Sequence, residues 1–485
     1  MKLLKISKKC WISWIRLYAC SMAFLQNRKA VGIILSLILA VLLWVLPLPG
    51  ELSPAGRKTL VITVFTVVWW VFNIIPSAYA TLMMLMGYLL LGLATPEMVF
   101  RIWTLPLMWL IIGSFLISVA VTKSGLAQRV AYFFMIRYAT SYRSLIVLIY
   151  ALGFVLGFLI PHPFPRALLL MSLVRAIIQK AGMNQADAAS VGLSVFVSTT
   201  VTSTILLTGD STLNLATVGF SGIAVGWLEW AFYMAVPGIL ASLLMMGLHL
   251  LIFRQTGPVQ IDRASLRLEQ EKLGAISRRE IVTCLWVLAA LLLWTTDVIH
   301  HIDPAWVALL AVIGLSLPRV GDVLDAKDLS SGINWPILFF VMGALAIGTV
   351  GKATGMSDWL AVNLLPGAPP LNPYLFAGLI GGATMLIHMV LGSALACMSI
   401  AAPPMVHYAV AAGWNPLFPA LLVYTAVSIH YLFPFQHVTI LLGQGETGGY
   451  STRQVLKYGL PLTLVALVVM ILVEVTWWRV IGMLK

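Results

Sequence analysis

Two helix-hostile stretches interrupt long apolar segments at matching places in this chain. Pro161-His162-Pro163-Phe164-Pro165-Arg166 breaks one segment, and Leu391-Gly392-Ser393-Ala394 breaks another 230 residues later. Apolar residues make up 60% of the chain and charged residues 10%, against roughly 45–50% and about 25% in a soluble domain. Runs near 20 apolar residues can each span a bilayer core of about 30 Å; 30–47, 59–75, 229–253, 281–299 and 460–481 are such runs. The composition therefore predicts an all-α, multi-pass membrane protein. Lipid tolerates no unpaired backbone groups, so a broken apolar segment survives only where protein or a watery cavity covers the break. Breaks in corresponding halves are the best sequence pointer to a transporter's binding site.

The net charge of +13 does not point to nucleic acid. The basic residues gather in the N-terminal arm and in polar loops, as the positive-inside rule expects. Residues 1–29 alternate basic and aromatic positions (Lys8, Lys9, Trp11, Trp14, Arg16, Tyr18, Arg28, Lys29). That pattern suits a basic amphipathic arm at the cytoplasmic headgroup layer. A cleaved signal peptide is the competing reading, against which Arg16 interrupts the required apolar core. Cys10, Cys20, Cys284 and Cys397 have no paired or metal-like spacing, so no disulfide framework, metal site or cofactor is expected.

Eleven spans are expected, near 31–48, 58–76, 78–94, 106–122, 190–208, 229–253, 281–299, 304–317, 335–350, 418–440 and 457–482. Two hairpins, 145–180 and 374–411, enter and leave by the same side. A first half (30–253) and a second half (281–485) flank the hydrophilic segment 254–280, expected to be a cytoplasmic linker. Three basic clusters fall on one face in this count: Lys2, Lys5, Lys8 and Lys9; Arg129, Arg137 and Arg143; and Arg263, Arg267, Lys272, Arg278 and Arg279. This sets the N-terminus on the cytoplasmic side of the cell (inner) membrane. The halves repeat: Gly113 and Gly125 are twelve apart, as are Gly343 and Gly355, and the offset is again 230. Five spans plus a hairpin per half turn the second copy upside down, giving an inverted repeat with a site near the bilayer midplane.

Four stretches carry a family resemblance: Trp69-Trp70-Val71-Phe72-Asn73-Ile74-Ile75-Pro76; Gly113 to Ala131, ending Ser-Gly-Leu-Ala-Gln-Arg-Val-Ala; Asp303 to Leu360 with Asn334-Trp335-Pro336-Ile337-Leu338; and Tyr450 to Pro461. In this order and spacing the chain, from about residue 30, resembles the divalent anion–sodium symporter family of dicarboxylate, citrate and sulfate transporters. The resemblance implies a homodimer in which one rigid part of each protomer carries the tips across the membrane like an elevator. It also implies a Ser-Asn-Thr signature at each hairpin tip, ligating sodium and substrate. Here Ile160-Pro161-His162 and Leu391-Gly392-Ser393 stand in those places. The family's unwound loops in the fifth and tenth spans align with Gly209-Asp210-Ser211-Thr212-Leu213-Asn214 and Phe435-Gln436-His437-Val438-Thr439, where Asn214 and Thr439 are the plausible carry-overs.

Helix N-termini expose unsatisfied N–H groups and partial positive charge, so a hairpin broken at its tip attracts anions. Arg166 adds a fixed cation there, able to pair with a carboxylate or sulfate. The competing readings are a snorkelling arginine and a structural pair with Asp210. A cation at the tip also repels sodium, which makes sodium independence one expectation and leaves the ion open. His162 can titrate near neutral pH, with Asp210 as its coupling partner, and supply proton coupling; a purely structural tip histidine is the alternative. Ser211, Thr212, Asn214, Ser393, Gln436, His437 and Thr439 can hydrogen-bond an oxyanion, and Gly392 permits close backbone approach. Lys123 and Lys352 are read as snorkelling residues. The function expected is secondary active transport of a small anion such as a carboxylate or sulfate. Proton-coupled and exchange transport are the rivals within that class. An intramembrane enzyme acting on a lipid-linked substrate is the rival outside it, and no nucleophile or metal motif supports it.

Overall fold

The structure, a computed structural model, describes residues 28–484. The arm assigned to residues 1–29 lies almost wholly outside them. The first half runs α1 (Arg28–Val45), α2 (Pro54–Phe72), α3 (Ser77–Leu90), a short α4 (Pro96–Phe100) and α5 (Pro106–Ser124). Next come α6 (Leu126–Tyr138), the hairpin α7 (Tyr142–Val155) and α8 (Pro163–Lys180), a broken pair α9 (Gln185–Thr202) and α10 (Leu213–Ser221), and α11 (Trp227–Ile252). Helix α12 (Arg263–Glu271) lies between the halves. The second half runs α13 (Arg278–Thr295), one-turn α14 (Asp297–His300), α15 (Pro304–Ser316), α16 (Ala326–Ser331), α17 (Trp335–Ala353) and α18 (Met356–Leu364). It closes with the hairpin α19 (Pro373–Val390) and α20 (Ala394–Ala411), a broken pair α21 (Leu417–Ile429) and α22 (Val438–Gly443), and α23 (Thr452–Val480), which contains a π turn at Val469–Glu474. Eight of the described helices are long and apolar enough to cross a membrane.

Helix starts follow from short polar residues and proline. Ser53, Asp303 and Asn372 each accept a backbone N–H, and a proline follows at the first helical position of α2, α15 and α19. There the missing N–H is no loss and φ is already helical. Asn73, at φ 48°, stops α2 in the left-handed region, and Pro76 precedes α3. The family-like stretch 69–76 is thus a helix stop and restart.

The glycine pairs sit where the chain must turn or close up. Gly125 (φ 82°) and Gly355 (φ 80°) follow α5 and α17 in a conformation that strains other residues. Each turn redirects the chain into a short helix, α6 or α18, ahead of its hairpin. A Cβ on Gly113 would sit 2.8 Å from Ala308 Cβ, so α5 packs tightly on α15; a Cβ on Gly343 would clash with Thr81, so α17 packs on α3. Each half therefore lends one helix to the other's long glycine-bearing helix.

Several boundaries differ from expectation for local reasons. The span expected at 190–208 starts at Gln185, where Asn184 caps it, and breaks after Thr202. The span expected at 418–440 stops at Ile429 and resumes at Val438. The linker ends at Ser277 rather than 280, because Ser277 and Glu280 form a capping box that draws Arg278–Glu280 into α13. Lys123 is a bridge rather than a snorkelling residue, with Nζ 2.8 Å from Asp328 and 3.1 Å from Asp325. Arg129 binds the Glu280 carboxylate and the carbonyls of Leu273, Gly274 and Ala275, and Arg263 Nε donates to Ala139 O. Two of the three basic clusters thus meet at one end of the molecule; the first lies outside the described residues.

Candidate functional site

The segment before the first break is rich in hydroxyls: Ser198-Thr199-Thr200-Val201-Thr202-Ser203-Thr204. Each of these Ser and Thr side chains returns a hydrogen bond to a carbonyl three or four residues back. Such back-bonding competes with the helix ladder and bends it. The chain then unwinds from Ser203 to Thr212. Asn214 holds that loop from inside, its Nδ2 donating to the carbonyls of Ser203 (3.1 Å), Leu206 (2.8 Å) and Leu207 (3.2 Å). Asp210 Oδ1 accepts from Thr212 N and Leu213 N at 3.1 and 3.2 Å, satisfying first-turn donors of α10. Ser211 donates through both N and Oγ to Pro161 O (3.2 and 3.1 Å), which ties the unwound loop to the first hairpin's tip.

At that tip, His162 Nδ1 accepts from Phe164 N (3.3 Å) and caps α8 while its ring packs 5.9 Å from Phe115 of α5. Arg166, one turn on, is fully buried. Its guanidinium donates to Gly153 O (3.0 Å), Thr199 O (3.3 Å) and Gly209 O (2.8 Å), joining α7, α9 and the unwound loop. No ion pair links it to Asp210 among the described residues, and it does not snorkel. A Cβ at Gly157 would meet Arg166 Nη1 at 2.5 Å, so glycine there makes room for the guanidinium.

The second half repeats this design with other residues. Ser393 Oγ accepts from Ala396 N (3.3 Å) and caps α20, and Gly392 backs onto Phe435, where a Cβ would lie 3.3 Å from its carbonyl oxygen. Gln436 orders the unwound loop after α21: Oε1 accepts from Leu432 N (2.7 Å) and Phe433 N (2.8 Å), and Nε2 donates to His388 O (3.2 Å). In return His388 Nε2 donates to Gln436 O at 3.0 Å. His388 was absent from the sequence-derived candidates; its signal was an apolar segment carrying one histidine three residues before the break. His437 is buried, and α22, which it precedes, packs on α8 and α9 of the first half, so the two halves meet here. Thr439 is buried in the first turn of α22.

Five buried polar atoms on these residues have no protein partner: Arg166 Nε, Thr212 Oγ1, Asn214 Oδ1, His388 Nδ1 and His437 Nδ1. Interior polar groups are normally paired, so these are groups ready to receive a ligand or water. A cavity of about 1010 Å³ is lined by Arg101, Asp297, His301 and Lys352 and by the buried or half-buried Leu207, Leu215 and Pro403. It touches the first unwound loop at Leu207, but its lining includes neither hairpin tip. Its mouth lies at the start of α11 and the end of α13, opposite the end where the basic clusters meet. No group of three or more potential metal-binding side chains occurs among the described residues.

Comparison with known proteins finds membrane transporters. Relatives include dicarboxylate transporter 1 of the Arabidopsis thaliana chloroplast, 23% identical over 94% of this chain and 84% of its own. The putative malate transporter YflS of Bacillus subtilis is 22% identical over 94% and 97%. The sodium-dependent dicarboxylate transporter SdcS of Staphylococcus saprophyticus is 25% identical over 93% of both chains. A solved structure, the YdaH transporter of Alcanivorax borkumensis, overlaps 78% of this chain and 86% of its own at 18% identity, with a TM-score of 0.49; that likeness is loose. The model of the sodium:sulfate symporter transmembrane region matches residues 27–484, so the chain belongs to that family and is a membrane transporter, not an enzyme.

Proposed function

We propose that this protein is a secondary active transporter of a small dicarboxylate, working by elevator-type alternating access and without sodium. The observation that carries the reading is the joining of two broken hairpin tips to two unwound loops, through Ser211–Pro161 in one half and Gln436–His388 in the other. Such breaks converge where a substrate must meet backbone groups at the membrane midplane. The hairpins and broken helices form the moving body; α3, α5, α15 and α17 form the frame it passes. The second half is the inverted copy of the first, and the protein works as a homodimer with its N-terminus cytoplasmic, which turns the cavity mouth outward. The names of the three relatives, two for dicarboxylate and one for malate, support the substrate class.

Sodium independence rests on Arg166. Nη1 and Nη2 donate to three carbonyls of the fold while Nε has no partner, so most of its donors are spent on the structure and its charge remains to act on the site. A unit charge 4 Å from a second one costs about 4 kcal/mol at an effective dielectric of 20. The same field that repels sodium favours a carboxylate, and Thr212 Oγ1 and the N-terminus of α20 supply donors.

The test is uptake of labelled succinate, malate, citrate and sulfate into proteoliposomes, each with a sodium gradient, a proton gradient or unlabelled anion inside. Dicarboxylate uptake that responds to internal anion or to protons, but not to sodium, is expected. Sodium-driven uptake refutes the role given to Arg166. Absence of transport for all four anions refutes the substrate class.

A further inference from the structure

One buried carboxyl has no part in the arrangement described so far. Glu474 closes the π turn of α23 and is fully buried, as are Met470 and Trp478 one turn to either side. Glu474 Oε1 accepts from Thr425 Oγ1 of α21 at 2.6 Å, and Oε2 has no partner. Among the described residues no lysine, arginine or histidine forms an ion pair with it. On α21, the hydroxyls of Tyr424 and Ser428 are also buried without partners.

The ionisable groups on the elements packed around the π turn are few. Helix α11 carries Glu229 and Tyr233, bonded to each other at 2.8 Å, and His249, bonded to Ser190 at 3.0 Å. Helix α19 carries Tyr374 and the His388 already placed, α21 carries Tyr424 and ends at His430, and α23 itself carries Arg453, Lys457, Tyr458 and Arg479. Of these, Tyr424 is the one that adjoins Thr425, the hydrogen-bond partner of Glu474.

Ionisable side chains inside a membrane body are expensive and mark ion pathways, and π turns recur at functional sites. A carboxylate here is fully buried without a countercharge, and one hydroxyl offers too few oxygens to replace a metal cation's hydration shell. A neutral carboxyl suits the same surroundings. We propose that Glu474 is a proton-binding site of the transport cycle, taking a proton from water on one face and returning it to water on the other. The proton adds to the carboxylate oxygen and leaves it unchanged, so no other reactant is needed. Helix α21 transmits the change, because it packs on α10, which follows the first unwound loop, and on α19 and α20 of the second hairpin.

This inference rests on the transport reading above, and the experiment separates the two. Proteoliposomes holding wild type, Glu474→Gln or Glu474→Asp are assayed with labelled succinate in two modes: exchange against internal succinate at equal pH, and net uptake under an acid-outside gradient. A one-unit gradient shifts accumulation by about tenfold per proton carried. Wild type and Glu474→Asp are expected to show that response. Glu474→Gln, which mimics the protonated group, is expected to lose it and keep wild-type exchange. Wild-type exchange with no pH response, or a full response from Glu474→Gln, overturns the proposal. Failure of wild type to exchange succinate overturns the transport reading and this inference with it. Thr425→Val is the second variant: it removes the sole partner of Glu474, so the pH midpoint of net uptake is expected to move while exchange is unchanged. An unmoved midpoint overturns the proposal.

Discussion

Replacing Arg166 with methionine tests the first hairpin's attachment. The guanidinium serves three carbonyls on three separate segments, Gly153 on α7, Thr199 on α9 and Gly209 in the unwound loop. A buried polar group left unpaired costs about 1–3 kcal/mol, so three carbonyls set a gross loss of about 3–9 kcal/mol. Part returns, because methionine removes a buried charge whose desolvation costs several kcal/mol. The net expectation is a loss at the low end of that range, about 3 kcal/mol. That is large beside a typical stability of about 5–15 kcal/mol. The assay is thermal unfolding of purified protein in detergent, with Arg166→Lys alongside. Lysine keeps the charge but cannot span three carbonyls, so it should melt between wild type and methionine. Gly157→Ala should act in the same direction, since its Cβ would crowd Nη1 at 2.5 Å. Wild-type melting of Arg166→Met would refute the clamp. Wild-type succinate transport by a stable Arg166→Met would refute the charge argument as well.

Gly113→Ala forces a methyl to within 2.8 Å of Ala308 Cβ, and overpacking of this kind costs about 1–3 kcal/mol; a lowered melting temperature checks it. Gln436→Leu strips the amides of Leu432 and Phe433 of their acceptor, and should cost about 2–6 kcal/mol and reduce transport more than tenfold. Lys123→Met tests the bridge between α5 and α16. The Lys123 ammonium, hydrogen-bonded to Asp325, holds that carboxyl below its ordinary value of 3.8, so the bridge stabilises at neutral pH and its contribution is lost as pH falls through the lowered value. The melting-temperature gap between wild type and Lys123→Met should persist from pH 7 to pH 5 and close only below about pH 4.

The hairpins were legible because proline and glycine punctuate otherwise continuous apolar segments. Both tips fall where Pro161–Pro163 and Gly392 put them. The unwound loops were found only by their alignment with a family pattern, and their extents were missed, since an apolar window reads straight through Leu206 and Leu432. The clue for the first was the hydroxyl run at 198–204, whose side chains compete for helix carbonyls. Arg166 was legible as important and misread in its contacts. A sequence shows a cation beside a tip, but its carbonyl partners lie 13, 33 and 43 residues away along the chain. Glu474 escaped notice because one carboxyl near the end of a long apolar helix reads as an interfacial residue. The π turn and the packing of α21 bring it inside.

Charge accounting gives a further prediction. A dicarboxylate at neutral pH is a dianion, since ordinary carboxyl pKa values lie near 4. If Glu474 contributes one proton per cycle, each net import moves one negative charge. Moving a unit charge against 100 mV costs about 2.3 kcal/mol, whereas one pH unit supplies about 1.4 kcal/mol per proton. An inside-negative membrane therefore outweighs a one-unit acid-outside gradient by about 1 kcal/mol, and net accumulation fails. Exchange of one dianion for another moves no net charge and escapes this opposition. Imposing an inside-negative potassium–valinomycin potential should then suppress net succinate uptake and leave exchange untouched. Clamping the potential at zero should restore the pH-driven component. Net uptake indifferent to the potential means two positive charges accompany each dianion. One carboxyl cannot supply two, so that outcome requires a second coupling group and places His162 and Asp210 under test.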